Sequence, residues 1–243
     1  MPNFIIKTTK PKVEFLVHQG IHQVKTEKYA AAIATFTRAL MYEPDYSEAL
    51  FQRAFALGSL GQHADAIIDF DRALTICPDT YWAWHNRGIS LGKLKRYIEA
   101  INSFERALEF NPDSSVVWHN HGVTWSNCGI FEKAIASFDR ALQLQPNAYW
   151  AWHHRGTALR QLQRLEEALN NFDRSIEFNP DHFLTWYYRG LTLNDLGKYK
   201  SAVASFQKAK ELANATPTIF TCQPGESSPI ADIKIIPHSR SNS

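Results

Sequence analysis

Three histidines, His85, His119 and His153, stand 34 residues apart, each directly after a tryptophan, Trp84, Trp118 and Trp152. Imidazoles in series can pass protons, ligate a metal or hydrogen-bond a partner. One step on come Asn86, Asn120 and His154. An asparagine amide offers a donor and an acceptor, the complement of a peptide unit. Trp82 and Trp150 lie two residues before Trp84 and Trp152, and Phe51 and Tyr187 fill the histidine column in the flanking copies. Phe51, Trp82, His85, Asn86, His119, Asn120, Trp150, His153, His154 and Tyr187 therefore form the candidate partner-binding surface. Trp82 and Trp150 are its expected apolar anchors, because large exposed aromatics are costly without a use and dominate binding energies.

The other chemistries find little support. There is no HExxH, no GxSxG, no CxxC pair and no glycine-rich phosphate loop after a strand. A bridged metal needs nitrogens about 2 Å away, whereas neighbouring helices lie about 8–10 Å apart, and nothing supplies a third or fourth ligand. No catalytic residue, metal or cofactor is expected, and the chain is not read as an enzyme. Clustered imidazoles titrate near pH 6.5, so partner binding is expected to weaken below about pH 6.

These residues need a scaffold that repeats every 34 positions. Trp84, Gly88, Leu91, Tyr97, Ala100, Phe104, Ala107 and Pro112 return as Trp118, Gly122, Trp125, Phe131, Ala134, Phe138, Ala141 and Pro146, and again from Trp152 to Pro180. A fixed period of this length marks stacked helical hairpins. The spacing predicts first helices at 13–25, 47–60, 81–94, 115–128, 149–162 and 183–196. Second helices are predicted at 29–42, 63–76, 97–110, 131–144, 165–178 and 199–212. Ala32, Ala66, Ala100, Ala134, Ala168 and Ala202 are expected to face the column of Gly20, Ala54, Gly88, Gly122, Gly156 and Gly190 at a close helix crossing. The phenylalanine column, Phe36 to Phe206, is expected to fill the space between hairpins. Each proline stops a second helix, and Asp45, Asp79, Asp113, Asn147 and Asp181 are expected N-caps. Arg53, Arg87, Arg155 and Arg189, with His121 in the fourth copy, face Asp71, Glu105, Asp139 and Asp173 as stitching ion pairs.

These columns resemble the tetratricopeptide repeat family, and the W-x-x-R-G and F-D-R-A-L wording is similar to arrays of cyanobacterial type. The resemblance implies an all-α, right-handed superhelical solenoid of six helix-turn-helix repeats, with first helices lining a concave groove that binds partners. The short asparagine ladder, Asn86 and Asn120, is similar to grooves that grip extended peptides by the backbone. The carboxylate clamp of chaperone-binding members is not matched: its asparagine column reads Ile21, Phe55, Ile89, Val123, Thr157 and Leu191, and its basic columns hold histidine only. An uncharged groove of this kind favours apolar or aromatic peptides.

In 243 residues the net charge is +2, which argues against nucleic acid as a partner, and no apolar run is long enough to insert in a membrane. Cys77, Cys128 and Cys222 form no motif and suggest a reduced, cytoplasmic setting. Three regions are expected: a lead-in at 1–12, the six-repeat domain at 13–214, and a Pro/Ser-rich tail at 215–243 whose residues 230–236 pack on the last hairpin. The functional reading is a non-catalytic adaptor that holds an extended peptide or a partner protein in its groove. The alternatives are a regulatory subunit of a separately encoded kinase or transferase, and a scaffold that self-associates through its last repeat.

Overall fold

The computed structural model describes residues 3–215, and every regular element among them is an α-helix. The chain divides after Leu144 into two compact units. The first unit holds α1 (Asn3–Lys25), α2 (Tyr29–Tyr42), α3 (Ser47–Ser59), α4 (His63–Ile76), α5 (Tyr81–Lys93), α6 (Tyr97–Phe110), α7 (Ser115–Asn127) and α8 (Phe131–Leu144). The second holds α9 (Tyr149–Gln161), α10 (Leu165–Phe178), α11 (Phe183–Asp195) and α12 (Tyr199–Ala215). Successive helices pair as hairpins, six among the described residues, and within each unit the second helix of one hairpin packs on the first helix of the next. First helices also touch one another, α1 on α3, α3 on α5 and α5 on α7 in one unit, and α9 on α11 in the other. This row of first helices carries the candidate surface.

The hairpin core is built from a glycine and a phenylalanine. A Cβ on Gly88 would lie 2.7 Å from the Phe104 ring, and one on Gly20 only 2.4 Å from Phe36. The same clash recurs at Gly122 with Phe138, Gly156 with Phe172 and Gly190 with Phe206. The glycine column thus makes room for the ring of its own hairpin, and its nearest neighbour is that ring, not the alanine column expected to face it. The phenylalanines sit first of all inside their own hairpins rather than between hairpins, and Phe36, Phe70, Phe104, Phe138 and Phe172 are fully buried.

Each hairpin turns through one left-handed residue at the same position: Glu27, Gly61, Lys95, Gly129, Gln163 and Gly197, with φ between 57° and 78°. The next residue's N–H reaches back to the last helical turn, as from Gln62 to Leu57 O at 2.9 Å and from Arg96 to Leu91 O at 2.9 Å. This six-to-one bond answers a carbonyl that the helix end leaves open.

The tryptophan and proline columns are tied together. The indole Nε1 of Trp84 donates to Pro78 O, Trp118 to Pro112 O and Trp152 to Pro146 O at 2.8 Å, and Trp186 to Pro180 O at 2.7 Å. Proline therefore ends one helix and also offers the carbonyl that holds the tryptophan of the next.

Three expectations need correction. The first helix, expected from residue 13, starts at Asn3 and runs through Pro11. Proline inside a helix removes a donor and crowds the carbonyl four residues back, and α1 carries that cost at Pro11 while gaining one hydrogen bond for each other residue it adds. The Asp and Asn residues after the prolines are not the caps, which fall one residue later at Tyr46, Thr80, Ser114, Ala148 and His182. Of these, only Ser114 caps with its side chain, accepting from the Val117 N–H, since the extended residue preceding the helix, not the one after proline, is placed to do so. Helix α12 continues past 212 to Ala215, and the tail proposed to pack on it lies outside the described residues.

Candidate functional site

The candidate surface is laid out on α3, α5 and α7 in the first unit. Trp82 is 46% exposed and leans on the Tyr81 ring at 4.7 Å and on His85 at 5.5 Å. Behind it His85 is only 4% exposed, with its ring 5.9 Å from Phe104. Asn120 on the next first helix donates from Nδ2 to His85 Nε2 at 2.9 Å. The structure thus brings Trp82, His85 and Asn120 into one cluster that ties α5 to α7. Asn86 spends an N–H on Trp82 O of its own helix at 2.7 Å. Half-buried His119 rests 5.8 Å from Phe138, and half-buried Phe51 lies 6.0 Å from Phe70.

Because Asn120 donates to Nε2, the His85 proton sits on Nδ1, which is buried and has no hydrogen-bond partner. Burial pushes the imidazole pKa down to about 4. His85 is therefore a neutral floor residue, and the titration near pH 6 expected of it does not apply. The reason is packing: the histidine column faces the buried phenylalanine of its own hairpin, and the next first helix covers it.

In the second unit, Trp150 is half-buried and so less open than Trp82. His153 is 4% exposed, 5.9 Å from Phe172 and 5.1 Å from His154. Tyr187 stands edge-on to Tyr188 and 5.9 Å from Phe206. His154 is pushed down to about 4, first by burial and then by the nearby His182. A buried polar network lies beneath. His153 Nδ1 meets Thr185 Oγ1 at 3.0 Å, and His182 Nδ1 meets the same oxygen at 2.7 Å. Thr185 also meets Ser175 Oγ at 3.2 Å, and Ser175 donates to Tyr149 O. The protons can be counted. The Ser175 proton is committed to Tyr149, so Thr185 donates to Ser175, and both histidines must donate from Nδ1.

His121 stands where four of the other repeats hold arginine, and Trp125 where the same four hold leucine. Trp125 Nε1 donates to His121 Nε2 at 3.0 Å, so Nδ1 carries the proton and donates to Ser137 Oγ at 3.1 Å. Burial, aided by Lys133, pushes His121 down to about 4. The arginine column does stitch neighbouring repeats, through Arg87 to Asp71 and Arg189 to Asp173, both at 2.6 Å. Arg53 instead holds Asp69 of its own hairpin through two nitrogens, at 2.6 and 2.8 Å.

Sequence reasoning missed a pocket of about 230 Å³ between α3, α4 and α5, with Ala54, Phe55, Phe70 and Ile89 as floor and His63 and Lys93 among its walls. Gly58 is among its lining residues, and a Cβ there would meet Ser90 Oγ at 3.5 Å and Ala66 Cβ at 3.9 Å. Among the described residues no group of three or more His, Cys, Asp or Glu side chains is arranged to hold a metal ion.

Models of the tetratricopeptide repeat match residues 18–80, 81–114 and 153–217, and a protein prenyltransferase alpha subunit repeat matches residues 131–162. No curated protein matches by sequence. Solved structures share the fold at low identity. The pilF protein of Pseudomonas aeruginosa is 16% identical, with a TM-score of 0.71 over 87% of this chain and 95% of that one. MamA from Desulfovibrio magneticus RS-1 is 21% identical, with a TM-score of 0.67 over 70% of this chain and 97% of that one. YrrB, described as a repeat protein of this kind with an unusual peptide-binding site, is 23% identical, with a TM-score of 0.61 over 74% of this chain and 92% of that one.

Proposed function

The chain belongs to the tetratricopeptide repeat family, and on that premise we propose that it is a non-catalytic scaffold that holds an extended segment of a partner protein along its first helices. The observation that carries this reading is Trp82. It is nearly half exposed, whereas the other aromatic side chains of its helix are partly or fully buried, and Asn120 beside it is fixed by His85. An anchored amide that keeps its carbonyl oxygen and a second N–H suits a peptide backbone. The peptide-binding site described for YrrB is in keeping with this use of the fold. No described helix is long and apolar enough to cross a membrane. The expectation of a cytoplasmic setting goes with the reading and rests on cysteine usage alone.

The test is peptide binding to the full chain with Trp82→Ala against a second-helix control, Ile98→Ser, whose residue is 63% exposed. Loss of an aromatic anchor is expected to cost about 2 kcal/mol or more, roughly thirtyfold in Kd. Helical content should be unchanged, since Trp82 lies off the core. If Trp82→Ala binds normally and Ile98→Ser does not, the partner rides the second helices and the groove reading fails.

A further inference from the structure

The pocket between α3, α4 and α5 combines an apolar lining with one cation. At about 230 Å³ it is smaller than the roughly 300–1,000 Å³ of cofactor and drug-sized sites, and matches a single side chain. Its floor is apolar, from Ala54, Phe55, Phe70 and Ile89. Its lining carries one formal charge, Lys93, which is exposed and makes no ion pair among the described residues. His63 Nδ1, also on the lining, is buried without a hydrogen-bond partner. Burial and the neighbouring Lys93 both lower its affinity for a proton, so the imidazole is neutral and the ammonium is the group that selects charge.

We propose that this pocket receives one apolar side chain of the partner segment and that Lys93 pairs with a carboxylate one or two residues away, so that the segment is apolar-acidic. The inference rests on the groove reading above and adds the partner's chemistry to it. The argument is charge complementarity. An apolar side chain fills the floor, and an anion beside it meets the single free cation of the wall, whereas a basic segment would set like charges together. A neutral segment would leave the ammonium without a counterpart and so gain less.

The experiment is selection of random displayed peptides on the full chain and on Lys93→Glu. Wild-type binders should carry a large apolar residue with Asp or Glu within two positions, and Lys93→Glu should exchange the acid for Lys or Arg. For one selected peptide, Lys93→Met should weaken Kd about two- to fivefold, the worth of one exposed ion pair. Gly58→Leu, which fills the pocket from a helical site with ordinary space around it, should weaken Kd more than Lys93→Met does. An acidic preference that persists in Lys93→Glu, or binding indifferent to Gly58→Leu, overturns the inference. Binders that need Trp82 but ignore Lys93 and Gly58 would sink the inference and leave the groove reading standing. A library with no binders would remove the groove reading first.

Discussion

The third and fifth repeats open with almost the same words. Tyr81–Gly88 and Tyr149–Gly156 differ only where Asn86 is replaced by His154. The two histidines in these stretches are equally buried, at 4% exposure each. Yet His153 gives its Nδ1 proton to Thr185, and the Nδ1 proton of His85 goes nowhere. The residue 32 positions after His153 is Thr185, and 32 positions after His85 it is Val117. A hairpin in a stack packs only on its neighbours, so the state of a side chain is written partly in the following repeat. The fifth and sixth repeats show this three times over. Ser175 stands in a column otherwise filled by Ala39, Ala73, Ala107, Ala141 and Ala209. Thr185 replaces Ala49, Ala83, Val117 and Ala151, and His182 replaces Tyr46, Thr80, Ser114 and Ala148. These departures make sense only together, because each supplies the other's hydrogen-bond partner.

The largest break is to make the later pair like the earlier one. Thr185→Val keeps the shape and removes the oxygen that serves His153, His182 and Ser175. A buried polar group left unanswered costs about 1–3 kcal/mol. His182 is half-buried and can turn to water, which keeps the loss within that range. Urea unfolding should show a destabilisation of about 2 kcal/mol at constant slope. A change below about 0.5 kcal/mol would mean that the network is decoration.

Acid sharpens the comparison next. An unfolded imidazole takes a proton near pH 6.5, whereas buried His85 and His121 hold it off until about 4. Between those values the unfolded chain binds more protons, so stability is full above pH 6.5 and falls as pH drops towards 4. One unit into that window each imidazole costs about 1.4 kcal/mol. The share of His121 can be removed by His121→Arg with Trp125→Leu, which restores the residues that Arg53, Arg87, Arg155 and Arg189 and Leu57, Leu91, Leu159 and Leu193 supply elsewhere. Unfolding at pH 7 and pH 5.5 should show a shallower loss in that double variant. An unchanged pH slope would show that His121 takes up its proton as readily in the folded chain as in the unfolded one.

The hairpins were legible because a period of 34 needs only residue types to be seen, and apart from the start of α1 and the end of α12 the helix ends fell within a residue of those drawn from the prolines and turns. The site was legible in part. Trp82 emerged on the surface as its size and place suggested, but the column of His85 and His153 turned inwards. Column spacing says which residues share a face of a helix. It does not say how much of that face the next hairpin covers. His85 differs from a ligand-presenting histidine because Phe104 and Asn120 reach it, contacts made across 19 and 35 residues. The pocket by Gly58 escaped because its lining comes from three helices, and column spacing along any one of them does not show the space left between them.

The smallest expected effect is also the most direct check of the comparison. Val117→Thr should give His85 what His153 already has. The new hydroxyl would stand where Thr185 stands in the later pair, within reach of an Nδ1 proton that has no partner at present. Its own proton needs an acceptor, and Ser175 has no counterpart here, since Ala107 fills that column. Position 117 lies in the first turn of α7, where the carbonyl three residues back, Ser114 O, can take that proton, as His154 O takes the Thr157 proton at 2.7 Å. One hydrogen bond gained is worth about 0.5–1.5 kcal/mol, and burying the second polar atom returns part of that. A net gain of about 0.5 kcal/mol is expected in Val117→Thr, rising when Ala107→Ser is added to complete the chain. The Nδ1 proton of His85 should become visible by NMR as a slowly exchanging imidazole signal. Loss of stability with no change in that signal would mean that Val117 is not what leaves His85 unanswered, and that the contrast between the third and fifth repeats has another origin.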